Sequence, residues 1–207
     1  MIFKYNKQIN KKYWELLLKY KGMFGIKFPD KISITKQDEK MAKQKTIEIS
    51  DYWNKDKELK ENIFKIYKYE LPKVLKCYII TTRTSATYLE KKCILLSMQV
   101  SSYNFSNPIS TTIIHEFSHI AFLDKYSNMC KKLGYTENGI QELKEVLTVI
   151  NNLEYKNIND KGYKIHQELR EIVKKMWQAN KSLIDIISTP QIIKEINLLS
   201  TIQKKKK

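Results

Sequence analysis

The chain has 207 residues, 42% of them hydrophobic, with a formal net charge of +16. That apolar share can bury a substantial core and no break in composition divides the chain, so one domain over residues 1–207 is expected. No window approaches the ~18 apolar residues of a membrane span, and three widely spaced cysteines (Cys77, Cys93, Cys130) fit reduced thiols better than a disulfide framework or a cysteine metal knuckle.

The charge first suggests nucleic acid. Arginine, the side chain suited to bidentate base and phosphate contacts, occurs only at Arg83 and Arg170. The lysines are spread over the whole chain among abundant Asn and Ile, as a broad compositional bias produces. No specific nucleic-acid partner is therefore expected. Lys4, Lys7, Lys11 and Lys12 interrupt any apolar leader, which makes the cytoplasm the expected address.

Residues 9 to 21 predict a helix with Tyr13, Trp14, Leu17 and Leu18 on one face and Gly22 past its end. Residues 22 to 50 lack clear periodicity, although the alternation Thr46-Ile-Glu-Ile-Ser50 suggests a short strand. A second helix is expected over 55 to 70, with Leu59, Ile63, Ile66 and Tyr67 inward and Pro72 as its stop. Trp53, Phe64, Tyr67 and Tyr69 read as core or core-edge aromatics. Two β-rich runs follow, Cys77–Arg83 and Cys93–Ser102, separated by turn-like polar sequence.

The chemistry concentrates in the next stretch, Asn107 to Tyr126, which contains His115-Glu116-Phe-Ser-His119. On a helix, residues four apart lie on one face, so both imidazoles can reach one Zn²⁺. Glu116 stands beside His115, where it can take the proton of a water attacking a carbonyl. Asn107 suits an N-cap and Pro108 the first helical position, and no Gly or Pro interrupts the run. Ile113, Ile114, Phe117, Ile120, Ala121 and Phe122 bracket the motif. The chain has three histidines, and two of them fall at ligand spacing with a Glu between them.

This motif resembles the zincin metallopeptidases, strongly over His115 to His119 and more loosely to about Trp177. A catalytic site needs a third protein ligand. Residues Ala121 to Tyr126 lack the Gly and third His of the metzincin branch, and Asp124 would point away from the metal face. In the Glu-zincin branch the third ligand is a Glu on a later helix. Here Ile140–Leu153 reads as a helix with Leu143, Val146, Leu147, Ile150 and Leu153 on its apolar face. Glu145 borders that face, with Thr148 and Asn152 in the same stripe as possible orienting partners. The segment from Glu145 is similar to the Glu-bearing helix of Glu-zincins, and Glu142, one turn earlier, is the alternative ligand. His166 and Tyr163 are candidates to donate a hydrogen bond to a developing oxyanion, as a His or Tyr does in zincins. His166 is also a possible third ligand. The resemblance implies that residues 93 to 103 form a sheet-edge strand that pairs with extended substrate.

A loop is expected from about Asn128 to Gly139, a turn around Asn157–Gly162, a helix from about Lys164 to Ala179, and a last helix capped by Thr189-Pro190. The expected class is α+β and zincin-like. A small sheet would lie in an N-terminal lobe (about 1–127), with a mostly helical C-terminal lobe (about 128–203). The expected activity is Zn²⁺-dependent hydrolysis of a peptide or protein substrate, with Glu116 as general base and His115, His119 and Glu145 as ligands. One alternative is a zincin-like regulatory or binding protein with little general proteolysis. A weaker one is a basic nucleic-acid-binding protein with an incidental motif.

Overall fold

A computed structural model describes residues 2–19, 34–55, 57–70, 75–81, 85–88, 93–97, 108–155 and 158–205. It is a mixed α/β structure with a small sheet and mostly helical content. The chain divides into two compact units, one of Met1–Lys57 with Pro72–Thr112 and one of Glu58–Leu71 with Ile113–Lys207.

The first unit holds β1 (Ile2–Tyr5), α1 (Lys7–Lys19), α2 (Lys36–Lys55), β2 (Lys76–Ile80), β3 (Ala86–Tyr88) and β4 (Cys93–Ser97). The sheet order is β1-β2-β4-β3, with β1, β2 and β4 parallel and β3 antiparallel to β4. Parallel strands are usually covered on both faces and read as continuous apolar runs, which is how Cys77–Ile80 and Cys93–Leu96 read. Tyr13 and Leu17 of α1 pack with Tyr78, Ile80, Cys93 and Leu95. The alternate strand residues face the other way, where Phe3 meets Trp53 of α2 edge to face at 6.2 Å.

Asn10 of α1 is fully buried and tied to the end of β2. Its carboxamide accepts from the Thr81 backbone N–H at 2.9 Å and donates to the Thr81 hydroxyl at 3.1 Å. Trp14 Nε1 donates to the same hydroxyl at 2.8 Å. A buried donor must be satisfied, so this pair fixes where α1 docks on the sheet.

Three sequence expectations are overturned in this unit. Thr46–Ser50 is not a strand but the interior of α2. Thr35 and Asp38 start that helix with reciprocal side-chain-to-backbone bonds, and Ala42, Ile49 and Trp53 bury at helical spacing while Ile47 is 57% exposed. Cys93–Ser97 is not an edge strand, because β2 and β3 occupy both its flanks. The linker expected as a turn between the two β runs contributes β3. Gly22, Pro72, Asn107 and residues 98–103 lie outside the described residues, as do residues 156–157 of the turn expected near Asn157.

The second unit contains α3 (Lys57–Tyr67, from Glu58 onward) and α4 (Pro108–Lys132, from Ile113 onward). It continues with α5 (Glu137–Leu147), a 3₁₀ turn, α6 (Asn151–Glu154), a second 3₁₀ turn at Lys164–His166, α7 (Gln167–Gln178), α8 (Leu183–Ile187) and α9 (Pro190–Lys205). The loop expected from Asn128 is mostly helix: α4 runs on to Lys132, and Tyr135 N–H closes its end on the Cys130 carbonyl. Thr136 then caps α5 by accepting from Gly139 N–H at 2.9 Å. Ile63, Ile66 and Tyr67 of α3 are buried, but Phe64 is exposed rather than core. α8, absent from the sequence reading, begins with a Ser182/Asp185 capping box. Gly139 allows α9 to approach α5, since a Cβ there would stand 2.5 Å from Asn197 Oδ1.

Asn10→Ala is expected to destabilise the first unit by about 1–3 kcal/mol, because the buried hydrogen bonds between its carboxamide and Thr81 are lost. Urea unfolding followed by Trp fluorescence checks this; an unchanged midpoint would show that the pair does not anchor α1.

Candidate metal centre

The candidate site lies wholly in the second unit. The apolar run around the motif buries α4 on nearly every side: Ile113, Ile114, Phe117, Ile120, Ala121, Phe122 and Tyr126 are all buried. Ser118 and Asn151 set the register of α4 against α6. The Ser118 hydroxyl donates to Asn151 Oδ1 at 3.1 Å, and Asn151 Nδ2 lies 3.0 Å from that hydroxyl. Both side chains are buried, so sliding one helix past the other would strand them.

That packing brings His115, His119 and Glu145 together, with one candidate ligand atom from each lying within 4.8 Å of the others. Glu145 Oε2 is 3.3 Å from His115 Nε2 and 3.4 Å from His119 Nε2. A tetrahedral ion with ligand distances of about 2.0–2.1 Å needs ligand atoms about 3.3–3.4 Å apart. Among the described residues, His119 Nε2 and Glu145 Oε2 are buried and lack a hydrogen-bond partner, despite their closeness. Two orphaned donor atoms at this spacing fit a metal ion, and the group can hold one. Two imidazole nitrogens and one carboxylate oxygen suit zinc, and iron(II) also uses this set.

The fourth participant was missed in the sequence. His115 Nδ1 donates to Asp160 Oδ2 at 3.0 Å, which leaves Nε2 facing Glu145. Asp160 sits on the loop before the second 3₁₀ turn, and five contacts fix that loop. Asn152 Nδ2 donates to the Asp160 carbonyl at 2.9 Å and its Oδ1 accepts from Asp160 N–H at 2.8 Å. Gly162 N–H donates to Asp160 Oδ1 at 3.0 Å, and Arg170 Nη2 donates to the Asp160 carbonyl. Arg170 Nη2 also stands 3.8 Å from Asp160 Oδ2. Nη1 of Arg170 reaches the Glu145 carbonyl at 3.0 Å and the Thr148 hydroxyl at 2.7 Å, so one buried guanidinium spans the ligand helix and the Asp160 loop. Gly162 has φ +60°, and a Cβ there would stand 2.7 Å from the guanidinium. Thr148 and Asn152 thus act on Arg170 and Asp160. A loop aspartate carries no periodic signal; the second arginine, in a chain of lysines, was the available clue.

Charge follows from this geometry. Burial pushes His115 down, but the Asp160 hydrogen bond and charge, with Glu145 added, hold it well above the ordinary histidine value. Burial lowers His119. Burial works to raise Glu145, yet the two imidazoles hold it well below the usual carboxylate range. Asp160 is likewise depressed: burial opposes, and His115 and then Arg170 prevail.

Glu116 is buried, with Oε2 3.8 Å from His119 Nδ1. Glu142, the alternative ligand, turns instead to His166, whose Nε2 donates to Glu142 Oε2 at 2.7 Å. His166, at the start of α7, is buried. Tyr163 packs edge to face on His166 at 5.6 Å. Its side chain is 60% exposed, although partial desolvation, then the charges of Glu145, Glu116, Asp160 and Glu142, raise its hydroxyl. Asp124 is exposed and accepts from the Tyr69 hydroxyl at 2.6 Å, away from the ligands. A cavity of about 620 Å³ borders Asp160, Arg170, Asn152 and Gly162, but none of the three ligands lines it. Comparison with protein families, curated proteins and solved structures finds no match.

Asp160→Asn should weaken zinc binding about 10–100-fold, as loss of a ligand's outer partner does, and Gly162→Ala should act in the same direction by displacing Arg170. Competition with a chromophoric chelator measures both; wild-type affinity in Asp160→Asn would remove Asp160 from the site. In the metal-free chain, the raised His115 contributes stability that is complete below about pH 6.5 and lost as pH rises through its folded value. The depressed Glu145 and Asp160 contribute above about pH 4 and lose that contribution as pH falls. Zinc uptake at pH 7 should therefore release a proton from His115. Calorimetry in buffers of different ionisation enthalpy detects it, and buffer-independent heats would mean that His115 is already neutral.

Proposed function

We propose that this protein is a zinc-dependent peptidase of Glu-zincin type. The observation that carries this reading is the convergence of His115, His119 and Glu145 with Glu116 next in the chain to a ligand. A metal-binding structural site has no use for that fourth group, whereas hydrolysis needs a base. The zincin-like fold, the zinc identity and the peptide substrate all belong to this proposal.

A bound zinc ion supplies Lewis acidity, polarising a carbonyl and making water acidic enough to ionise near neutral pH. The residues do the rest. His115 and His119 present Nε2, and Glu145 presents Oε2, toward one point. Asp160 keeps His115 in the tautomer that leaves Nε2 unprotonated for the ion. Glu116 takes the proton of the attacking water and returns it to the leaving amine. Tyr163, exposed and packed on the His166 ring, would donate a hydrogen bond to the carbonyl oxygen as its charge grows. His166 is committed to Glu142 and supports Tyr163 through ring contact. Cys77, Cys93 and Cys130 are buried and none is in a disulfide, which suits a reducing compartment, in line with a cytoplasmic address. No helix of the described residues is long and apolar enough to cross a membrane.

Elemental analysis should find one zinc per chain in the wild type and in Glu142→Ala, and none in His115→Ala or Glu145→Ala. Glu116→Gln should keep the metal and lose about 10²–10⁴-fold of peptide hydrolysis, assayed on a peptide library by mass spectrometry. Full cleavage by Glu116→Gln would sink the mechanism. Metal without cleavage in the wild type would favour a binding protein.

A further inference from the structure

Lys144 precedes Glu145 in α5, and neighbours in a helix point about 100° apart, so their side chains do not ordinarily meet. Here they do. Lys144 Nζ lies 3.4 Å from Glu145 Oε1, with the two side chains 17% and 15% exposed. Lysines are seldom buried this far without a partner, and this one is buried against a group whose other oxygen faces two imidazoles. The carboxylate is thereby divided: Oε1 toward an ammonium, Oε2 toward the ligand nitrogens. The ammonium's charge is also felt at His119, where it adds to the lowering that burial causes. A cation beside a dication site opposes metal binding, so its presence there calls for a compensating role.

We propose that Lys144 is a positioning residue that holds Oε1 of Glu145 away from the metal, fixing ligation through Oε2 alone. A carboxylate free to turn can chelate through both oxygens, which tightens the ion but consumes the coordination space that water and a carbonyl must share. Lys144 trades metal affinity for an open site. The inference rests on the metal-centre reading, and its test separates the two.

Wild type, Lys144→Met, Lys144→Gln and Lys144→Arg are loaded with Co²⁺, whose visible bands are intense in four-coordinate sites and weak in five-coordinate ones. Affinity is measured by chelator competition. The wild type and Lys144→Arg should show intense bands. The two neutral variants should show weakened bands with Co²⁺ held more tightly, because the repelling ammonium is gone. A merely structural lysine would instead lower affinity and leave band intensity unchanged. That result, or neutral variants identical to wild type in both readouts, would overturn the role of Lys144 while leaving the metal centre standing. A wild type that takes up no Co²⁺ would remove the metal centre, and this inference with it. Two neutral variants are used so that misfolding of one does not decide the matter.

Discussion

The hydrogen bond from His115 to Asp160 is the constraint on which the site depends, because an imidazole can rotate and offer either nitrogen. Fixing Nδ1 decides which nitrogen faces Glu145. Asp160 can do this only if its loop is rigid, and Asn152, Gly162 and Arg170 hold that loop on both its backbone and its side chain. Arg170 also grips the carbonyl of Glu145 itself. The ligand and the partner of the other ligand are thus held by one buried cation, and the spacing between them is set by the length of a guanidinium.

A second constraint works at the level of whole helices. Ser118 falls inside the His-Glu-Phe-Ser-His motif, one position before His119, and its exchange with Asn151 keys α4 to the segment that follows Glu145. The motif therefore carries two faces of information, one chemical and one positional. Neither the apolar packing of α4, which is nearly uniform around its axis, nor helix propensity would fix the rotation that brings both histidines to bear on Glu145. A polar pair in an apolar surround does so, since any other rotation leaves it unpaired.

Much of this was legible in the sequence and some was not, for physical reasons. The placement of His115, His119 and Glu145 follows from helical periods of four and from the apolar face of α5, both local signals. Asp160 was invisible because its role comes from a loop, where no period exists, and from a contact with His115, which is distant in the sequence. Thr46–Ser50 misled because a five-residue alternation cannot outweigh a capped helix of twenty residues. Cys93–Ser97 was recognised as a strand, but its neighbours were not, since sheet order depends on long-range pairing. Glu142 and Glu145 sit close together on the same helix. What separates them is the partner each meets, His166 for one and the ligand cluster for the other.

The position of β1 has a consequence for how the chain is made. This strand pairs in parallel with Lys76–Ile79, and the Ile2 N–H bonds to the Leu75 carbonyl. During synthesis it leaves the ribosome long before its partner exists, and β4, which completes the parallel core, comes later still. A strand in that situation must wait with its edge unpaired, and such edges are where nascent chains find wrong partners. β1 is short, and it alternates an outward Lys4 with partly buried aromatics. A brief, charged first strand is a poor template for another chain while it waits.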